Sequence, residues 1–227
     1  IDAAQTERQA RTADCPIMLS VTVSDMAGRT LSGQTLEAFL STISSYDIFS
    51  VGLNCGFGAK EMKPFLQQLS SRAPQFVSAH PNAGLPNELG LYDETAESMS
   101  PAISDIIDSG MVNIIGGCCG TDETFIASYS KLVEGKTPRQ PRPRYRQLHL
   151  AGLESFTPVE DNEGKASFTN VGERCNVAGS RKFLRLINEK NYDEALDIAR
   201  KQVADGALVI DINMDDGLLD AEAEMVR

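Results

Sequence analysis

One short run constrains this chain more than any other. Residues 112–120 read VNIIGGCCG, a β-branched apolar stretch closing on two glycines and two adjacent cysteines. Vicinal cysteines do not readily pair with each other, because a disulfide needs Cα atoms about 5.5 Å apart and consecutive residues sit about 3.8 Å apart. Cys118 and Cys119 therefore serve another purpose. They can be two small apolar side chains packed at a strand end, or two soft thiolate ligands presented at the mouth of a sheet. A third thiol at a second strand end tips the balance toward ligation, and Cys55 supplies it.

The flanking pattern says what kind of sheet that is. Residues 16–23 (PIMLSVTV) predict a strand. Leu36, Phe39, Leu40 and Ile43 then recur at helical spacing. A second strand is expected over 49–54, ending at Cys55, and a helix over 60–69. A third strand over 76–79 runs into the turn-rich loop HPNAGLPNELG. A helix over 100–108, stopped by Gly110, leads to the fourth strand at 112–115. Thr121 reads as the N-cap of a last helix to about Val133, with Asp122 and Glu123 in its first turn, where they favour the helix dipole. Four strand–helix alternations imply a parallel sheet. A doubly wound sheet and a (β/α)₈ barrel both fit. Cys55, Asn82, Cys118 and Cys119 all fall just past C-terminal strand ends, which in a barrel converge on one face. The expected fold class is therefore α/β, with the C-terminal half of one TIM barrel here and its missing half before Ile1.

Three thiolates make a soft, anionic site suited to zinc. Cys15 precedes the first strand, at the opposite end, so no fourth cysteine closes the site. Three ligands with one open position is the pattern of catalytic rather than structural zinc. Coordination deprotonates an incoming thiol, and the thiolate is the nucleophile. The reaction class suggested is alkyl transfer to sulfur. His80 is read as orienting its loop by hydrogen bonds, since the three thiols already supply the site.

The stretches VGLNCGFG, SAHPNAGLPN and GGCCGT, in that order, resemble the homocysteine S-methyltransferase family over residues 16–133. The resemblance implies that Cys55, Cys118 and Cys119 bind zinc and that zinc binds the thiol of homocysteine. It also makes Asn82 a possible metal ligand when substrate is absent.

After Gly135 the composition changes. GKTPRQPRPRYRQL is rich in proline and arginine and cannot continue a helix; it reads as a semi-rigid domain linker, placed at 136–147, whose arginines pair with acidic surfaces. The domain before it spans 1–135 and the one after it 148–227. The net charge of −11 argues against nucleic acid as a partner. No apolar run is long enough to span a membrane. Five cysteines, odd in number with two vicinal, suit a reducing cytoplasm.

Beyond the linker, short strands are expected within 147–157, with a turn at DNEGK (161–165). A strand over 167–172 should run into a polar loop, ERCNVAGS. Two helical runs follow, the second over 192–203 with Ala195, Leu196, Ala199 and Val203 sharing the buried face. A buried strand over 208–212 and the start of another helix end the chain. This reads as the first units of a second β/α barrel, with Glu173, Asn176, Asp211 and Asn213 at its mouth. By themselves such residues fit a solvated loop as well as a site. However, FTNVGERCNVAGS and VIDINMDDGLLDAEAEMV resemble the pterin-binding domain of the cobalamin-dependent methionine synthase family. That resemblance implies that Glu173, Asn176, Asp211 and Asn213 bind 5-methyltetrahydrofolate. Cys175 falls where a small polar residue is usual and is read as non-ligating.

Together the resemblances imply a methyltransferase fragment. Homocysteine thiolate would accept a methyl group originating from 5-methyltetrahydrofolate, by way of cobalamin bound on another domain of the same polypeptide. The competing readings are a homocysteine methyltransferase using betaine or a sulfonium donor, and a non-catalytic zinc-binding fragment.

Overall fold

A computed structural model describes residues 1–11, 14–144, 148–158 and 168–227. The chain divides into two compact units, Ile1–Thr157 and Pro158–Arg227. The turn expected at 161–165 lies outside the described residues.

The first unit is a parallel α/β assembly. After α1 (Asp2–Ala10) come β1 (Met18–Val21), α2 (Leu36–Ile43), β2 (Ser50–Gly58), α3 (Ala59–Arg72), β3 (Phe76–Asn82), α4 (Ala96–Asp108), β4 (Ile114–Ile115) and α5 (Glu123–Leu132). The four strands pair in sequence order, β1-β2-β3-β4, and every pairing is parallel. Alternation along the strands decides what faces the helices. Val51, Leu53, Val77 and Ala79 are buried in the core, together with Met62, Leu66 and Leu69 of α3 and Met99, Ile103 and Ile106 of α4. These helical positions recur at three- and four-residue spacing, which puts them on one stripe. Thr95 and Ser98 start α4 with a reciprocal capping box.

The start of α5 differs from the sequence expectation. Asp122, not Thr121, is the N-cap, accepting from Thr124 N–H. The Thr121 hydroxyl is engaged elsewhere, donating to the Cys118 carbonyl at 2.7 Å. β2 and β3 also run further than expected and carry Cys55 and Asn82 within them.

The compact first unit continues past the boundary expected at 147. β5 (Leu150–Ala151) and β6 (Ser155–Phe156) form a small antiparallel hairpin. It is tied to α2 through Thr35 N–H to the Leu153 carbonyl at 2.9 Å and Ser41 Oγ to Ser155 Oγ at 3.0 Å. The preceding strap is anchored too. Arg139, only 5% exposed, donates to the carbonyls of Ser70, Ala73 and Gln75. Its partners are carbonyls at and just beyond the C-terminal end of α3, with the Ser70 hydroxyl, not the acidic surface expected of the linker arginines. A helix terminus supplies that partial negative charge without a carboxylate.

The second unit holds β7 (Val171–Asn176), α6 (Arg181–Asn188), α7 (Tyr192–Ala204), β8 (Val209–Asn213) and α8 (Ala221–Val226). β7 and β8 pair in parallel. Cys175, Val177, Phe183, Leu186, Ile187, Ala195 and Met214 form its core. Three expectations are corrected. Of the strand expected over 167–172, Ser167 lies outside the described residues; β7 begins at Val171, so Glu173, Arg174 and Asn176 belong to it and not to a loop. Pairing begins only at Val171 with Val209. On α7, Leu196 and Val203 are more than half exposed; Ala195, Ile198 and Ala199 pack instead. Gln202 closes that stripe because its amide satisfies β7, accepting from Arg174 N–H at 2.6 Å and donating to Cys175 Sγ at 3.3 Å. β8 is less buried than expected, with Asp211 exposed and Ile212 49% exposed.

Candidate metal centre

The three thiols expected to cluster do so. Cys55 Sγ lies 2.7 Å from Cys118 Sγ and 3.5 Å from Cys119 Sγ, and Cys118 and Cys119 Sγ are 4.0 Å apart. All three cysteines are free. Among the described residues they make the one group of three or more ligating side chains close enough to share a metal ion. Thiolates around a tetrahedral ion at a metal–sulfur distance near 2.3 Å stand about 3.8 Å apart. Two of the three separations are near that value and the Cys55–Cys118 pair stands closer, so the donor set suits a soft divalent metal once Cys55 and Cys118 move apart by about 1 Å. Cys15 is exposed and not in the group, and neither is Cys175. Cys175 is buried, and desolvation foremost holds its thiol above the ordinary range, which suits the non-ligating role read for it.

Backbone geometry brings the sulfurs together. Pairing of β2 with β3 is regular up to Asn54 opposite His80 and resumes at Gly58 opposite Asn82. The intervening bulge turns Cys55 out of the ladder. Cys55 has φ 54°, a left-handed conformation uncommon for residues other than glycine. Gly56 follows at φ 71°, and a Cβ there would lie 2.5 Å from the Val23 carbonyl oxygen. Only glycine fits. The segment after β4 continues alongside β3: Gly116 N–H donates to the Ala79 carbonyl and Cys118 N–H to the Pro81 carbonyl, each at 2.9 Å. Asn82, 4% exposed, accepts from Cys119 N–H at 3.1 Å.

His80 is half-buried on β3, and desolvation lowers its imidazole pKa. It is not among the clustered ligands. It lies against Gly116, where a Cβ would approach its Cδ2 within 2.6 Å. Tyr92 stands beside the thiols, and its phenol is held above the ordinary range, first by hydrogen bonding to Cys119 and then by burial. Sequence reasoning passed over Tyr92, whose only signal is being the one aromatic in the loop between β3 and α4.

A family model described as homocysteine S-methyltransferase matches residues 1–133, a span holding all three thiols. The chain belongs to the homocysteine S-methyltransferase family. A second family model, pterin binding enzyme, matches residues 172–227. The two matches together support an enzyme that transfers methyl groups to homocysteine and carries a pterin-binding domain. No helix among the described residues is long and apolar enough to cross a membrane.

Within the pterin-binding match, β7 and β8 bring Asn176 and Asn213 together as register partners at their C-terminal ends. Each amide oxygen already organises the turn that follows. Asn176 Oδ1 accepts from Ala178 and Gly179 N–H at 2.9 and 3.1 Å, and Asn213 Oδ1 from Asp215 N–H at 2.7 Å. Asp211 lies two residues before Asn213 on the same side of β8. Glu173 is exposed, within the stretch where the β7–β8 register shifts.

Proposed function

We propose that this chain is the central part of a cobalamin-dependent methionine synthase, with the thiol-activating site in its first unit and the folate site in its second. In this reading Cys55, Cys118 and Cys119 hold zinc, and Asn82 offers an oxygen ligand when no substrate is bound. Zinc bound there would supply the positive charge that keeps a substrate thiol deprotonated, and so nucleophilic, at neutral pH. The bulge at Cys55 and the Asn82 contact to Cys119 hold the ligands in place. Glu173, Asn176, Asp211 and Asn213 bind 5-methyltetrahydrofolate, whose pterin edge offers donors and acceptors that carboxylates and amides can match. Cobalamin, on a domain beyond this chain, is the implied carrier between the two sites. In this reading the sequence domains are 1–135 for homocysteine and zinc, 136–147 as connector and 148–227 for folate, with the first residues of the last span, the β5–β6 hairpin, packed on the first unit. Free thiols suit a cytoplasmic setting.

The convergence of three thiols from two strand ends carries this reading. Metal analysis of single Cys→Ala variants tests it. Each should lose zinc, and unchanged zinc content in Cys118→Ala would overturn it. X-ray absorption at the zinc edge should gain one sulfur scatterer on adding homocysteine; an unchanged sulfur count with homocysteine bound would do the same.

A further inference from the structure

We infer that Asn54 is a specificity-determining residue that takes the carboxylate of the thiol substrate, with Ser20 and Thr22 as the residues that position it. The inference rests on the homocysteine reading above.

Asn54 is the residue before Cys55 and the last on β2 in regular register before the bulge. Side chains alternate across a strand. Leu53, 1% exposed, points into the helix-packed core, so Asn54 points to the opposite face. There its Oδ1 accepts from Ser20 Oγ at 2.8 Å and from Thr22 Oγ1 at 3.5 Å, both on the β1 side. A carboxamide oxygen only accepts, so both hydroxyls donate. With its oxygen committed toward β1, the planar amide directs its NH₂ the other way, toward the side on which His80 is its register partner.

The surroundings make this edge a floor. One level below, Ser78, 2% exposed, occupies the space beside Gly52, where a Cβ would lie 1.9 Å from Ser78 Oγ. That level is filled and admits no ligand. One level above are the thiols. Asn54 is half-buried, so an anion meeting its N–H groups is partly shielded from water. The exposed edge of the amide consists of donors alone. It therefore selects a carboxylate over an ammonium group. Homocysteine carries its carboxylate two methylenes and one carbon from the sulfur, a short reach matched to a side chain next in sequence to a sulfur ligand.

A hydrogen bond to a charged group, lost on truncation, changes binding roughly 10- to 100-fold. The test compares homocysteine with 3-aminopropanethiol, which differs only in lacking the carboxylate, on the zinc-loaded protein by titration calorimetry. Asn54→Ala should weaken homocysteine binding by that factor and leave 3-aminopropanethiol unchanged. Asn54→Asp keeps the side-chain size and replaces the donors with a like charge, so it should weaken homocysteine further, with zinc content intact. Ser20→Ala with Thr22→Val should give a smaller loss, confined to homocysteine. Equal losses for both thiols, or none for either, would overturn the role of Asn54. Failure of both thiols to bind the wild-type protein would instead overturn the homocysteine reading on which it rests.

Discussion

Asn82 reaches from the end of β3 to the backbone of Cys119, its side-chain oxygen accepting the Cys119 N–H at 3.1 Å while Ala83 N–H donates back to the Cys119 carbonyl at 2.9 Å. One thiol-bearing peptide is thus gripped from both sides by the last residue of β3 and the residue after it. Removing the side-chain half of that grip should loosen the metal site without unfolding the sheet. Asn82→Ala is expected to lower zinc affinity by about 10- to 100-fold, the usual effect of losing a group that orients a ligand. Competition with a chromophoric chelator measures it. An affinity within twofold of wild type would show that the backbone contacts alone set the site.

Arg139 gives a second expectation, for stability. Its guanidinium is buried against Ser70, Ala73 and Gln75, and desolvation foremost lowers its pKa. Truncation removes the guanidinium donors from the carbonyls of Ser70, Ala73 and Gln75, of which Ala73 keeps the Arg142 N–H. Arg139→Ala should destabilise the first unit by about 3 kcal/mol. Lysine, with one compact ammonium in place of a planar fork, should recover less than half of that. Denaturant midpoints of both variants check it; an Arg139→Ala midpoint equal to wild type would mean the strap is held by other contacts.

How much of this was legible beforehand differs by residue. The three thiols were readable because their type, their adjacency to glycine and their places after apolar runs all point one way. The parallel α/β sheet followed from the alternation of strand and helix patterns. The N-cap of α5 was misplaced because Thr121, a good capping residue, spends its hydroxyl on Cys118, a tertiary demand that no local pattern encodes. The buried face of α7 was misread because Gln202, a polar residue, ends the packed stripe and Leu196 does not join it. Arg139 looked like a solvated linker charge, since nothing in its neighbours announces that helix carbonyls await it. Asn54 and Ser20 do leave a trace, the polar residues at every second position of SVTV and the asparagine before Cys55. That trace becomes interpretable only once β1 and β2 are known to be neighbours.

Glu224 sets a pH dependence for the second unit. The residue is 7% exposed, ion-paired with Lys190 and bonded by Tyr192 Oη at 2.9 Å. Hydrogen bonding from Lys190 foremost, then from Tyr192, holds its carboxyl below the ordinary glutamate range. A carboxylate with a depressed folded-state pKa contributes stability above its unfolded-state pKa and loses it as pH falls through the folded value. The contribution should therefore be full at neutral pH and fade on acidification below about pH 4.5. Glu224→Gln should lower stability at pH 7 and converge with wild type in acid. Unfolding curves across that range decide it, and a gap that persists unchanged at pH 3 would assign the effect to packing instead of charge.

The last expectation separates the work of the two units. Cys55, Cys118 and Cys119 all lie in the unit ending at Thr157, and Glu173, Asn176, Asp211 and Asn213 all lie in the unit beginning at Pro158. Each unit has its own core, and sites that share no partners respond to substitution nearly independently. In the full-length protein, Cys119→Ala should abolish methyl transfer from methylcobalamin to homocysteine and leave transfer from methyltetrahydrofolate to added cobalamin unchanged. Asp211→Asn should do the reverse. It removes a charge from an exposed strand residue while keeping its shape, so folding is spared and zinc content should stay at the wild-type value. Asn176→Ala should have the same sense with an added cost, because its side chain also fixes the turn at Ala178 and Gly179. Two single-turnover assays and a zinc determination on each variant give the answer. Loss of both half-reactions in folded Cys119→Ala protein would mean that the thiol cluster serves the folate chemistry as well, and the assignment of one task to each unit would fall.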